Sequence, residues 1–190
     1  MGGFYSNITL KGPEQSAIAK ALHGRAAMVS PKTDSCTVVY DSICDNQDAD
    51  GMSELASQLS REFNCPAWAV IIHDDSVFWY RLFLGGQLAD EYNSCPGYFD
   101  PEATEITGPS GGDANKLCTA FEAAQQQEVE NILRKPGAAQ GGGYVFETER
   151  HADLVRVLSL PEFAVGVAYA SFERGEYPEG LSVEQMMKAG

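Results

Sequence analysis

The chain has few basic residues, no cysteine pairs at metal-ligand spacing and no long apolar run, and each shortage excludes something. Lysine and arginine number 13 against 27 aspartates and glutamates, so the net charge is −14. Non-specific binding to nucleic acid or to an anionic membrane surface needs a cationic face, and neither is expected here. The five cysteines are Cys36, Cys44, Cys65, Cys95 and Cys118, with no two of them three positions apart. A zinc ribbon or finger needs such pairs, so no metal is expected, and no cofactor fingerprint is present either. An odd count without pairing motifs suits free thiols in a reducing compartment, which makes the expected location cytoplasmic. The opening residues Met1-Gly2-Gly3-Phe4-Tyr5 lack a basic region followed by an apolar one, so no secretory leader is expected. No stretch of 18 apolar residues occurs, so no membrane span is expected.

What is present is a well-patterned core. Hydrophobic residues make up 44% of the 190 positions, enough for a folded chain of this length. The stretch Ala67 to Ser94 organises the rest. Ala67 to Ile72 is apolar, His73-Asp74-Asp75-Ser76 is a polar break, and Val77 to Leu84 is the longest β-branched and aromatic run. Gly85-Gly86 suits a two-residue hairpin turn with positive φ, and Gln87 to Tyr92 returns as a more polar strand near a sheet edge. Three antiparallel strands in sequence are predicted.

Before this meander the pattern predicts a strand over Phe4 to Leu10, a helix opened by Gly12-Pro13, strands over Arg25 to Ser30 and Cys36 to Ile43, an acidic loop from Asp45 to Gly51, and a helix with the stripe Met52, Leu55, Leu59 and Phe63. Strand, helix, strand, strand, helix, strand is the order of a ferredoxin-like split βαβ unit. The expected fold is therefore α+β: that unit in residues 3–94, an added antiparallel meander, an irregular connection over 95–112, and a helical portion over 113–190 packed on the sheet, all in one compact domain. In the last portion Asp113 is a candidate N-cap for a helix ending near Lys135, Tyr144-Val145-Phe146 reads as a small strand, and Thr148 as a helix cap. Residues 163–172 fit either a helix to about Arg174 or an alternating strand.

Three places could carry chemistry. His73 with Asp74 and Asp75 has the residue types of a general base or a metal ligand, although adjacent turn residues point apart and the same types make ordinary turns. Cys95 sits in a loop after a strand and would need a base such as His73 or His151 to act as a nucleophile. His151 stands beside the apolar positions Leu154 and Val155 and reads as a packing residue. Trp79, Arg81 and Phe83 alternate along one strand face and Phe78, Tyr80, Leu82 and Leu84 along the other. Both faces must be covered, the Trp79 face by the C-terminal helices or by a partner.

Two functional expectations follow. The first is a small acidic non-enzymatic module of inhibitor or immunity type that binds a protein partner with a basic surface through Asp45, Asp48, Asp50, Asp74, Asp75, Trp79 and Arg81. The second is a small hydrolase-type enzyme in which His73, Asp74, Cys95 and His151 converge. Sequence alone leaves the oligomeric state open.

Overall fold

The computed structural model describes residues 3–100, 108–137, 140–178 and 180–189. It is an α+β structure: an eight-stranded antiparallel sheet carrying helices on both faces. The strands are β1 Tyr5–Lys11, β2 Ala27–Val29, β3 Cys36–Asp41, β4 Pro66–His73, β5 Val77–Leu84, β6 Gln87–Asn93, β7 Ser110–Gly111 and β8 Met187–Ala189. Their order across the sheet is β7-β6-β5-β4-β1-β3-β2-β8. The helices are α1 Gln15–Ala21, α2 Ala49–Phe63, α3 Ala114–Phe121, α4 Gln126–Arg134, α5 Glu147–Val157 and α6 Tyr169–Glu173.

The meander forms as its pattern dictates. β4 pairs with β5 from Pro66↔Leu84 to His73↔Val77, and β5 pairs with β6. Gly85 and Gly86 take φ of 56° and 83°, the left-handed region a tight hairpin needs and a Cβ disfavours. α2 begins where Asp48 accepts a hydrogen bond from the Asp50 backbone N–H at 3.1 Å, and ends at Asn64 in a left-handed conformation. Its buried stripe of Met52, Leu55, Ala56 and Leu59 faces the sheet.

Side-chain alternation along the strands makes two cores. Ile8, Leu10, Ala67, Ala69, Ile71 and Phe83 point to α1 and α2. Tyr5, Val38, Tyr40, Trp68, Val70, Phe78, Tyr80 and Leu82 point to the other face, which the C-terminal helices cover. This corrects one expectation. Trp79 lies opposite Ile71 in the register and packs on the α2 side, so the C-terminal helices take the Phe78 face instead. The reason is topological: α1 and α2 join strands on one face and leave only the other for later elements.

The second half of the chain departs further from its pattern. The helix read from Asp113 to Lys135 breaks into α3 and α4 at Glu122, which adopts φ of 57°. Tyr144 makes a single bridge to Gly137 and starts no strand. α5 begins at Glu147, ahead of the expected Thr148 cap. Residues 163–172 form no strand, and the helix to about Arg174 is realised only in its last part. A 3-10 turn over Glu162–Ala164 and the short α6 are separated by Gly166 at φ 77°. The acidic loop is largely ordered, as a 3-10 turn over Cys44–Asn46 followed by α2. Pro13 precedes the N-cap Glu14 and so stands outside α1.

All five cysteines are free and buried. Burial pushes the Cys36 and Cys65 thiols up to about 11 and Cys44 to about 12, and raises Cys95 and Cys118. A thiolate is the reactive species, so these groups are poor nucleophiles in the folded chain. A thiol reagent at mildly alkaline pH should find almost none in the native protein and five after denaturation without reductant. A denatured count of one or three would mean disulfides and would remove the argument for a reducing compartment.

Candidate functional site

The site is a cleft at the end of the sheet where β4 turns into β5. β4 ends at His73, and Asp74 and Asp75 take φ of 50° and 51° to reverse the chain. Aspartate tolerates that region better than most residues because its short side chain bonds nearby backbone. Asp75 then acts as a clasp. Its carboxylate accepts the Gly3 N–H at 2.6 Å and the Thr148 hydroxyl, and its carbonyl accepts the Glu147 N–H at 2.9 Å. The turn is thereby tied to the start of the chain and to α5.

His73 is oriented by Gln47, just before α2. Gln47 Nε2 donates to the Ile72 carbonyl at 2.7 Å, which leaves Oε1 facing His73 Nδ1 at 2.5 Å. A carbonyl oxygen only accepts, so Nδ1 carries the proton, and in the neutral ring Nε2 presents a lone pair. The ring sits in an aromatic shell. Its centroid lies 4.9 Å from Phe4, 4.7 Å from Phe99 and 5.9 Å from Tyr98. Phe4 is 55% exposed and Phe99 64%, which is unusual for residues with so much apolar area to hide. Beside them opens a cleft of about 410 Å³ whose walls include Asn46, Gln47, Ile71, His73, Val77, Trp79, Phe99 and Asn93, whose Oδ1 accepts the Cys95 N–H at 2.9 Å. Arg81 lies 4.9 Å from the centroid of the Trp79 ring and is held by Glu91 at 3.1 Å, the Ser53 hydroxyl at 2.8 Å and Asp50 at 3.6 Å.

The aspartates near the sheet divide into two kinds. Asp41 is buried at the end of β3, where it pairs with Arg25 at 2.7 Å and accepts the Ile43 N–H. Asp45 accepts the Tyr169 and Ala170 N–H groups at 3.0 and 2.6 Å, and its half-burial raises its carboxyl pKa against those two donors. Asp90 accepts the Tyr80 hydroxyl at 2.7 Å and the Asp113 N–H at 2.9 Å. These three, with Asp75, hold the fold together. Asp50 and Asp74 are exposed, and Asp48 is the cap of α2. Asp48 and Asp50 flank Ala49 in the cleft wall, and Asp74 follows His73.

The nucleophile and base candidates lie apart. His151 is fully buried on the other side of the sheet, its Nδ1 2.8 Å from the Tyr5 hydroxyl and its ring stacked on Phe78 at 5.6 Å. Burial alone pushes it down to about 3, so it is neutral. Cys95 is buried after β6, with its thiol pKa raised by burial and by the charge of Glu147 on the α5 side. His73 faces the α2 side. Among the described residues no group of three His, Cys, Asp or Glu side chains is placed to hold a metal ion. No helix among them is long and apolar enough to cross a membrane.

Gln47 and the shell of Phe4, Tyr98 and Phe99 were not legible as site residues. Gln47 sits 26 positions before its partner, and Tyr98-Phe99 falls in a Pro- and Gly-rich stretch with no periodicity to interpret. No family model matches the chain, and neither does any curated protein or solved structure with which it was compared.

Proposed function

We propose that the chain is a non-enzymatic protein-binding module of inhibitor or immunity type, which docks a partner with a basic surface over the cleft end of the sheet. The observation that carries this reading is the clustering of the exposed rings Phe4, Tyr98 and Phe99 around His73, beside a cleft that His73 and Phe99 line, with the exposed Asp48, Asp50 and Asp74 next in sequence to the lining residues Gln47, Ala49 and His73. Aromatic anchors supply contact area at low entropy cost, and unlike charges steer the encounter. The hydrolase reading has less support, because His73, Cys95 and His151 occupy three different surroundings. A cytoplasmic setting fits the five free thiols, and the net charge of −14 argues against nucleic acid as the partner. A ferredoxin-like core over residues 3–94 belongs to the same proposal. Its support is the contiguous order β4-β1-β3-β2 with α1 and α2 on one face, and fold by itself assigns no job.

The test is affinity capture from source-cell lysate at low and high salt. A protein with a basic surface should be enriched at low salt and lost at high salt, since the Debye length falls from about 10 Å at 0.1 M to about 3 Å at 1 M. The paired substitution Asp48→Asn and Asp50→Asn should weaken capture without unfolding the chain, because asparagine still caps a helix. No enrichment, or a partner indifferent to both salt and the substitutions, would reject the reading.

A further inference from the structure

We infer that the sheet face beneath α5 binds internal water, one or two molecules held by Asn7, Thr9, Trp68 and His151. The site lies on the opposite face from the cleft and does not rest on the proposed function. Alternation along β1 sends Tyr5, Asn7 and Thr9 to this face, while Ile8 and Leu10 pack under α1 and α2. Thr9 stands opposite Trp68 in the β1–β4 register and opposite Val38 in the β1–β3 register, and both neighbours belong to the core that α5 covers. His151 comes down from α5, its ring centroid 5.5 Å from that of Trp68 and its Nδ1 2.8 Å from the Tyr5 hydroxyl. These residues form one connected patch.

Buried polar side-chain atoms are nearly always hydrogen-bonded, and each exception calls for a cause. Among the described residues four such atoms have no hydrogen-bond partner: Asn7 Oδ1, Thr9 Oγ1, Trp68 Nε1 and His151 Nε2. All four belong to this patch, on residues no more than 1% exposed. Unrelated defects would be scattered over both cores.

The chemistry of the four atoms selects the occupant. The indole N–H only donates. Asn7 Oδ1 only accepts, because Nδ2 is the atom that donates to the Ala164 carbonyl at 2.6 Å. The Thr9 hydroxyl does both, and His151 Nε2 does one or the other according to its tautomer. An anion would oppose the Asn7 oxygen, and a cation would oppose the indole N–H. Water both donates and accepts, and it is small enough for a patch closed to solvent. Successive same-face positions on a strand stand roughly 7 Å apart, too far for a direct hydrogen bond and within reach of a water-mediated one. A chain of 190 residues holds on the order of seven internal waters with about three hydrogen bonds each, so four groups suit one or two of them.

The experiment is a crystal structure of the full chain, paired with a water-selected NMR spectrum of the Trp68 indole. The chain has two tryptophans, and Trp79→Phe assigns their indole signals. Density for water should stand within about 3.2 Å of Trp68 Nε1 and of at least one other of the four atoms. In solution the Trp68 indole N–H should show a cross-peak to water with the sign of a nuclear Overhauser effect, opposite to that of proton exchange. Both results are required, because the Thr9 hydroxyl exchanges its proton with water and would by itself give a cross-peak. A crystal structure in which no water reaches Trp68 Nε1, or in which the four atoms find protein partners, would overturn the inference. So would a larger molecule in that density, or an indole N–H without the cross-peak.

Discussion

Replacing Trp68 by alanine should lower the free energy of unfolding by roughly 3 to 5 kcal/mol, the usual cost of deleting a large buried aromatic. Trp68 is fully buried near the start of β4. Its ring meets Phe78, Tyr80, Phe121 and His151 at centroid distances of 6.3, 5.7, 6.1 and 5.5 Å, so it joins two strands to helices α3 and α5. Among the described residues the indole Nε1 has no hydrogen-bond partner. The loss is therefore one of packing and of the cavity left behind, with no hydrogen bond to a described residue removed. Trp68→Phe should cost much less, because it keeps a ring in place and gives up only an N–H that no described residue accepts. Urea unfolding followed by circular dichroism measures both. A loss below about 1 kcal/mol for alanine would mean that the sheet face is not closed by the C-terminal helices.

How much of this was legible follows from the range of each interaction. The meander, its Gly85-Gly86 turn and the α2 stripe depend on neighbours within a few positions, and their patterns stand in the sequence. The face on which each helix lies depends on strand order, which no local pattern carries, and so the covering of Trp79 was misassigned. In the second half, helices end at Glu122 and Ser159 with φ of 57° and 53°, at residues that are not glycine and announce no stop. The site shows the same division. His73-Asp74-Asp75 was recognisable as a turn, whereas the clasp made by Asp75 depends on Gly3 and Thr148, more than 70 positions away on either side. The acidic loop from Asp45 to Gly51 read as one run of charge. Asp45 is in fact consumed by the start of α6, while Asp48 caps α2 and Asp50 stands exposed beside Arg81.

Removing either member of the Arg150–Glu147 pair should cost about 3 to 5 kcal/mol, because the other charge would be left buried and uncompensated. Charges in a first helical turn are ordinarily solvated, and nothing in Glu147 to His151 marks this pair as interior. Yet Arg150 is fully buried and Glu147 only 3% exposed, with Nε to Oε2 at 2.6 Å and Nη2 to Oε1 at 3.1 Å. Arg150 Nη1 also donates to the Ile132 and Lys135 carbonyls at 2.6 and 2.7 Å, groups that the end of α4 leaves without helical partners. Its guanidinium lies 4.6 Å from the Tyr144 ring centroid. One side chain thus closes α4, anchors α5 and holds the segment between them. Arg150→Met keeps much of the volume and should still fall in the stated range, since methionine can satisfy neither Glu147 nor the two carbonyls. Glu147→Gln should cost somewhat less, because an amide oxygen still accepts from the guanidinium. The double variant Arg150→Met with Glu147→Gln should lose less than the sum of the single losses, as expected for groups in direct contact. It should not return to wild type, because the α4 carbonyls remain unpaired. Urea unfolding of the four proteins gives the cycle, and hydrogen exchange at the amides of α4 and α5 locates it. Additive losses, or a single loss below about 1 kcal/mol, would mean that water reaches the pair and that α4 and α5 are joined by their apolar contacts alone.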